Sequence, residues 1–164
     1  MELGMIGLGR MGGNMLKKLV ESGHTVIGYD LNPKNIKDVV SIGGKGADSI
    51  EDLLQKLKQP RNIWVMLPHG TPTAETIENI IELAAKDDLI IDGGNSHYLD
   101  SMKIAEKCIS NGVRFTDCGV SGGSLLCRLR DEVFVQFLYW RHQSKSIESL
   151  AFHVLSGESI VIEL

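Results

Sequence analysis

The stretch that decides the fold is Leu3-Gly4-Met5-Ile6-Gly7-Leu8-Gly9-Arg10-Met11-Gly12, with its continuation to Asp30. Leu3 to Ile6 is a short apolar run that reads as a strand. Three glycines follow at Gly7, Gly9 and Gly12. Met11, Met15, Leu16 and Leu19 then recur at helical spacing as far as Gly23, and a second apolar run, His24 to Tyr29, closes on Asp30. Asp30 stands 18 residues beyond Gly12. Strand, glycine turn, helix, strand and acid in this order are the context that turns G-x-G-x-x-G from a weak pattern into a dinucleotide-binding fingerprint. Gly7 suits the tight turn, Gly9 lets backbone approach a pyrophosphate, and Gly12 lets the helix pack near the sheet. The first helical turn offers N–H groups and about half a positive charge to the phosphates. Asp30 would accept hydrogen bonds from the adenosine ribose. The competing reading is a tight glycine turn that holds no ligand.

The same alternation continues down the chain. Ser49 is an N-cap for a helix with Ile50, Leu53, Leu54 and Leu57 on one face. Asn62 to Leu67 reads as a buried strand, broken by Pro68 and Gly70. Thr71-Pro72 reads as a cap with proline in the first turn of a helix that presents Ile77, Ile80, Ile81 and Ala84. Leu89 to Ile91 is a strand that ends on Asp92-Gly93-Gly94-Asn95-Ser96. A helix from about Leu99 to Asn111 stops at Gly112, and Val113 to Cys118 is a strand followed by Gly119-Val120-Ser121-Gly122-Gly123. Strands alternating with helices of this length require right-handed crossovers and a parallel sheet. The expected fold is α/β, a Rossmann-like doubly wound, mostly parallel sheet in a single domain. Its unusual loops, Gly7 to Gly12, Asp30, Leu67 to Gly70, Asp92 to Ser96 and Ser121 to Gly123, all fall at the carboxyl ends of strands, where such sheets bind ligands.

Composition narrows the class. The chain has 164 residues, 43% apolar and 23% charged, with a net charge of −4, as an ordinary globular domain has. That balance argues against nucleic acid and anionic membrane surfaces as partners. No apolar run approaches the ~18 residues of a membrane span, and the N-terminal strand leaves no secretory signal, so a cytoplasmic protein is expected. Cys108, Cys118 and Cys127 are odd in number and lack C-x-x-C spacing, which fits free thiols in a reducing compartment and no metal site.

Gly7-Leu8-Gly9-Arg10-Met11-Gly12-Gly13-Asn14-Met15, Met66-Leu67-Pro68, Asp92-Gly93-Gly94-Asn95-Ser96 and Gly119-Val120-Ser121-Gly122-Gly123 together resemble the cofactor domain of decarboxylating 6-phosphogluconate dehydrogenase, over residues 1 to 123. β-Hydroxyacid dehydrogenases share the first and last motifs, and Asp-Gly-Gly-Asn-Ser favours the phosphogluconate branch. The resemblance implies that Gly7, Leu8, Gly9, Arg10, Met11 and Gly12 hold the pyrophosphate. Asp30, Leu31 and Asn32 would surround the adenosine ribose. Leu67, Pro68 and His69 would line the cofactor groove. Asn95 would touch nicotinamide and substrate, and Ser121, Gly122 and Gly123 would bind the sugar acid. The family oxidises 6-phosphogluconate at C3, passes hydride to the cofactor, and releases CO2 and ribulose 5-phosphate. Members that use NADP carry Asn-Arg-Ser or Asn-Arg-Thr where this chain has Asp30-Leu31-Asn32. A carboxylate ~4 Å from one phosphate charge is repelled by about 4 kcal/mol at an effective dielectric of 20. NAD is therefore expected over NADP.

The resemblance stops after Gly123. All but one of the 18 glycines lie at or before that residue, and Phe134, Phe137, Tyr139, Trp140 and Phe152 crowd the remainder. The family's Lys-x-x-His-Asn, whose lysine is the general base, occurs nowhere, and the large helical domain is absent. Residues 124–164 read as an atypical tail whose aromatics form either a packed strand or an exposed segment. A shift of reading frame near codon 123, a short paralogue and a splice-like product each account for it. Dimerisation, which the family achieves through its helical domains, does not carry over. Gly119-Val120-Ser121-Gly122-Gly123 also matches G-x-S-x-G after a strand, with Asp131, His142 and His153 in a permissible order for a hydrolase. That reading leaves the N-terminal fingerprint unexplained. His69 and His97 sit in loops beside the expected site, where they are either solvated or take a chemical role.

Overall fold

In a computed structural model, residues 1–120 are described in full, and Ser121 and the strands at 133–140 and 147–154 by their backbone. Strand β1 (Glu2–Ile6) leads to α1 (Arg10–Glu21) and β2 (Thr25–Tyr29). Helix α2 (Pro33–Ser41) and the two-residue β3 (Lys45–Gly46) follow, then α3 (Ile50–Lys56), β4 (Asn62–Val65), α4 (Thr71–Leu83), β5 (Leu89–Asp92), α5 (Tyr98–Ser110) and β6 (Arg114–Ser121). Strands β7 (Val133–Trp140) and β8 (Ile147–Val154) complete the sheet. The order is β3-β2-β1-β4-β5-β6-β7-β8, parallel through β6 and antiparallel at the last two pairings. The chain direction across the sheet reverses between β1 and β4, the switch point at which doubly wound sheets bind ligands. No helix among the described residues is long and apolar enough to cross a membrane.

Right-handed crossovers place the helices on two faces. Leu3, Met5 and Val26 pack against Met15, Leu16 and Leu19 of α1 on one face. Ile63, Val65 and Ile90 pack against Leu53, Leu54, Ile77 and Ile80 of α3 and α4 on the other. Being covered on both faces is why β1, β4 and β5 read as continuous apolar runs rather than alternating ones. The α1 stripe faces this core as its spacing required.

Local chemistry sets the element ends. The Ser49 hydroxyl accepts the Asp52 N–H at 3.1 Å, as its place before the α3 stripe indicated. Gly112, at φ +73, follows α5 in the left-handed conformation typical of a helix stop. Three expectations need correction. The cap of α4 is Gly70, at φ +94, rather than Thr71, because glycine alone makes that turn cheaply. Strand β6 continues through Ser121, because residues 117–121 pair with β7, so Gly119 to Ser121 is strand and not loop. Helix α2 and β3 were not anticipated: α2 buries only Val39, and β3 is two residues long, so neither carries a periodic apolar signal. Phe134, Phe137, Tyr139 and Trp140 lie in strand β7. Cys108 and Cys118 are buried free thiols, and burial pushes the Cys108 thiol up to about 12 and Cys118 higher still. Cys127 lies outside the described residues.

Two carboxylates share the carboxyl edge, because Asp92 of β5 and Asp117 of β6 stand in register. Asp92 is fully buried and accepts the Gly94 N–H at 2.8 Å and the Ser96 hydroxyl at 2.6 Å, which folds the β5–α5 loop around it. Asp117 accepts the Ser101 hydroxyl at 2.6 Å. Burial raises the pKa of Asp117 above its ordinary 3.8, and the charge of Asp92 adds to this, against the hydrogen bond from Ser101. A raised carboxylate pKa means that the folded chain holds this proton more tightly than the unfolded chain does. Its stabilising contribution is present below about pH 3.8 and is lost as pH rises through the folded value. Asp117→Asn keeps an acceptor for Ser101 and removes the half-buried charge. The variant is expected to unfold at equal or higher denaturant than wild type at pH 7, and to lose this part of the pH dependence in urea titrations between pH 4 and pH 7.

Candidate functional site

The site grows from one close approach. Gly12, in the first turn of α1, sits so near the end of β1 that a Cβ there would run into the carbonyl of Gly7 and come within 3.2 Å of the Met66 Cβ. Gly7 itself is at φ +90, and a Cβ on it would collide with the Met66 carbonyl. Helix and strand are thus joined by backbone with no side chain between them. Gly9, the N-cap, differs: a Cβ there would meet nothing within 4 Å. The first i to i−4 bond of the helix runs from the Gly13 N–H to the Gly9 carbonyl at 2.8 Å, so the N–H groups of Arg10, Met11 and Gly12 precede the ladder. Gly9 and Arg10 are exposed and Met11 is half-buried. A turn with tight glycines on its protein side, an open one outward and unladdered N–H groups is built to receive an anion.

The other loops connect to this turn in series along the carboxyl edge. Asp30 accepts the Leu8 N–H at 2.7 Å with one oxygen and the Asn32 N–H at 2.7 Å with the other. A Cβ on Gly7 would lie 2.8 Å from the Leu67 side chain. A Cβ on Gly94 would lie 2.7 Å from the Leu67 carbonyl, so the loops after β4 and β5 touch. Asn95, at φ +55, accepts the Val120 N–H at 3.1 Å and donates to the Val120 carbonyl at 3.3 Å, which ties the β5–α5 loop to β6. Four loop regions, those after β2, β1, β4 and β5, are therefore in contact, and the last of them is tied to strand β6.

Individual residues sit as follows. Leu31 is 89% exposed beside Asp30. The side chain of Asn32 is turned to helix α2, where it accepts the Lys34 N–H at 3.1 Å as N-cap. Pro68 and His69 are exposed, and the Pro68 carbonyl accepts the Thr73 hydroxyl at 2.8 Å. His97 caps α5 weakly, its ring nitrogen 3.4 Å from the Leu99 N–H. Ser121 ends β6, and Gly122 and Gly123 lie outside the described residues, as do Asp131 and His142. Thr73, 1% exposed, was not anticipated. Its signal was a hydroxyl residue directly after Pro72 in a helix start, where it back-bonds the preceding loop. A groove of about 480 Å³ opens from Gly9 and Arg10 along the α1–α2 seam, past Asn14, Lys17 and Asp38. Asp30, Leu67 and Asn95 are not part of its lining. Among the described residues, no three His, Cys, Asp or Glu side chains gather as a metal-ligand set.

Residues 2–130 match the family described as the NAD binding domain of 6-phosphogluconate dehydrogenase. The chain is 34% identical over 142 residues to the NAD(+)-dependent, decarboxylating 6-phosphogluconate dehydrogenase of Haloferax volcanii, covering 87% of this chain and 46% of that one. It is 38% identical over 127 residues to decarboxylating 6-phosphogluconate dehydrogenase 1 of Saccharomyces cerevisiae, covering 74% and 26%. Among solved structures, Plasmodium falciparum 6-phosphogluconate dehydrogenase superposes with a TM-score of 0.72 at 28% identity, over 84% of this chain and 30% of that one. The chain thus spans less than half the length of these relatives. Mycobacterium tuberculosis 3-hydroxyisobutyrate dehydrogenase superposes with a TM-score of 0.68 at 25% identity, over 76% of this chain and 42% of that one. A backbone-built anion turn on the switch point of this sheet, with the match over residues 2–130, gives the conclusion that the chain belongs to the family of the NAD-binding domain of 6-phosphogluconate dehydrogenase.

Proposed function

We propose that this chain binds NAD along the carboxyl edge of its sheet, in preference to NADP, as the cofactor half of a 6-phosphogluconate dehydrogenase-type reaction. The observation that carries the reading is the glycine turn, closed to side chains at Gly7 and Gly12 and open at Gly9. In this reading the N–H groups of Arg10 to Gly12 hold the pyrophosphate. Asp30 faces the adenosine ribose, with exposed Leu31 beside it and no arginine at 31 or 32 to pair with a 2′-phosphate. Each carboxylate oxygen of Asp30 has two lone pairs, so one accepted N–H apiece leaves capacity for ribose hydroxyls. Leu67, Pro68 and His69 border the groove toward the nicotinamide half, and Asn95, Ser121, Gly122 and Gly123 border the sugar acid. The cofactor supplies a hydride acceptor at its nicotinamide. The residues of this chain bind and orient.

Asn95 carries one requirement. Its amide is engaged by the Val120 backbone. To meet both nicotinamide and substrate it must use its remaining lone pair and second N–H, or release Val120. The domain division, residues 1–123 followed by an atypical tail at 124–164 whose strands β7 and β8 extend the sheet, is part of the same proposal.

Calorimetric titration is expected to give an NAD dissociation constant at least tenfold below that for NADP, about a third of the bare Coulomb estimate. Equal constants would contradict the role given to Asp30. This 164-residue chain is also expected to make negligible ribulose 5-phosphate from 6-phosphogluconate and NAD. It carries no Lys-x-x-His-Asn, and loss of a general base costs ~10²–10⁴-fold. Turnover by the purified chain at a rate comparable with full-length relatives would overturn this. Restored turnover on mixing with a separately made helical domain of a relative would favour a cofactor half over the alternative, a non-catalytic dinucleotide-binding module.

A further inference from the structure

We infer that Asp30 is a positioning residue for the glycine turn: its carboxylate holds Leu8, and so the pyrophosphate-binding backbone, in place before any ligand arrives. The inference rests on the dinucleotide reading and adds to it a task that no ribose performs.

The turn needs an outside restraint. Leu8 is flanked by Gly7 and Gly9, the residues that lose most conformational freedom on ordering, and Gly7 sits at φ +90. Packing supplies part of the restraint, because the Leu8 side chain is 5% exposed within the α1-side core. Strand β2 supplies the rest through two successive residues. The Tyr29 carbonyl accepts the Gly7 N–H at 2.9 Å, continuing the β1–β2 ladder. Beyond β2 the ladder has no further rung, and the Asp30 side chain takes the next amide instead, accepting the Leu8 N–H at 2.7 Å. Its other oxygen accepts the Asn32 N–H at 2.7 Å, and this fixes the carboxylate plane and the start of α2 together. Both lengths are those of charge-assisted bonds. A carboxylate fills this place where an amide does not: the two N–H groups meet different oxygens, and an asparagine in the same pose would turn its NH2 toward one of them. The residue that reads the ribose is therefore also the residue that shapes the phosphate turn.

The two tasks separate in a ligand without a ribose. Inorganic pyrophosphate meets the turn and no more of the site. If Asp30 acts only on the ribose, Asp30→Asn leaves pyrophosphate affinity unchanged or tightens it, since a like charge has been removed. If Asp30 holds the turn, Asp30→Asn weakens pyrophosphate roughly tenfold despite the lost repulsion, the worth of one charge-assisted bond. Amide hydrogen exchange on the ligand-free chain gives the second readout. Asp30→Ala is expected to speed exchange at Leu8 and Asn32 by roughly tenfold or more. The β4 amides of Ile63 to Val65 should stay as protected as in wild type, which certifies the fold. Unchanged Leu8 exchange, or equal or tighter pyrophosphate binding by Asp30→Asn, overturns the inference. Failure of the wild-type chain to bind either NAD or pyrophosphate would instead contradict the dinucleotide reading, and the exchange measurement would then decide the anchor by itself.

Discussion

The seat of Gly12 on the Gly7 carbonyl is the contact on which the site depends. It places the start of α1 directly over the end of β1, at the one point where the strand order reverses. Any side chain there would lift the helix and move its unladdered N–H groups away from the edge. From that contact the remaining loops follow by adjacency. Gly7 meets Met66 and Leu67, Gly94 meets Leu67, and Asn95 meets Val120. The carboxyl edge is a chain of backbone-scale contacts, and this is why so many of its residues are glycine or short polar side chains.

Most of this was legible from residues. The G-x-G-x-x-G turn, the α1 stripe, the Ser49 cap and the Gly112 stop each encode their structure locally, through steric demands or a hydrogen bond within four residues. Apart from one helix start, what was missed was not local. Helix α2 is short and buries only Val39, so its start at Asn32-Pro33 went unread although that pair is a cap followed by proline at N1. Strand β3 exists only because β2 lies beside it. The continuation of β6 through Ser121 depends on pairing with β7, across residues that carry no periodic signal. Asn32 shows how one residue answers to two readings, since an asparagine near a ribose and an asparagine capping a helix look the same in sequence.

The polar core of the edge adds a layer that composition did not reveal. Asp92 is fully buried yet accepts two hydrogen bonds from its own loop, so its burial is offset by the order it imposes on Gly94 and Ser96. Asp117, its neighbour across the sheet, feels that charge. The loop carrying Asn95 is thus shaped from below by a carboxylate and held from the side by Val120. Asp30 plays the matching part at the other end, where it joins the glycine turn to the start of α2. Acids at both ends of the edge hold backbone amides, and N–H groups and small residues line the turn between them. The chain covers 46% of its Haloferax volcanii relative and 26% of its Saccharomyces cerevisiae relative. The part they share with it is the part that builds this edge.

The central claim is that NAD lies along the carboxyl edge and not in the neighbouring α1–α2 groove. Amide chemical-shift mapping with NAD tests it most directly. NAD on the edge is expected to perturb residues 8–12, 30–32, 67, 69 and 94–96. Shifts confined to the groove residues Asn14, Lys17, Asp38 and Ile42, or no shifts at all, would contradict it.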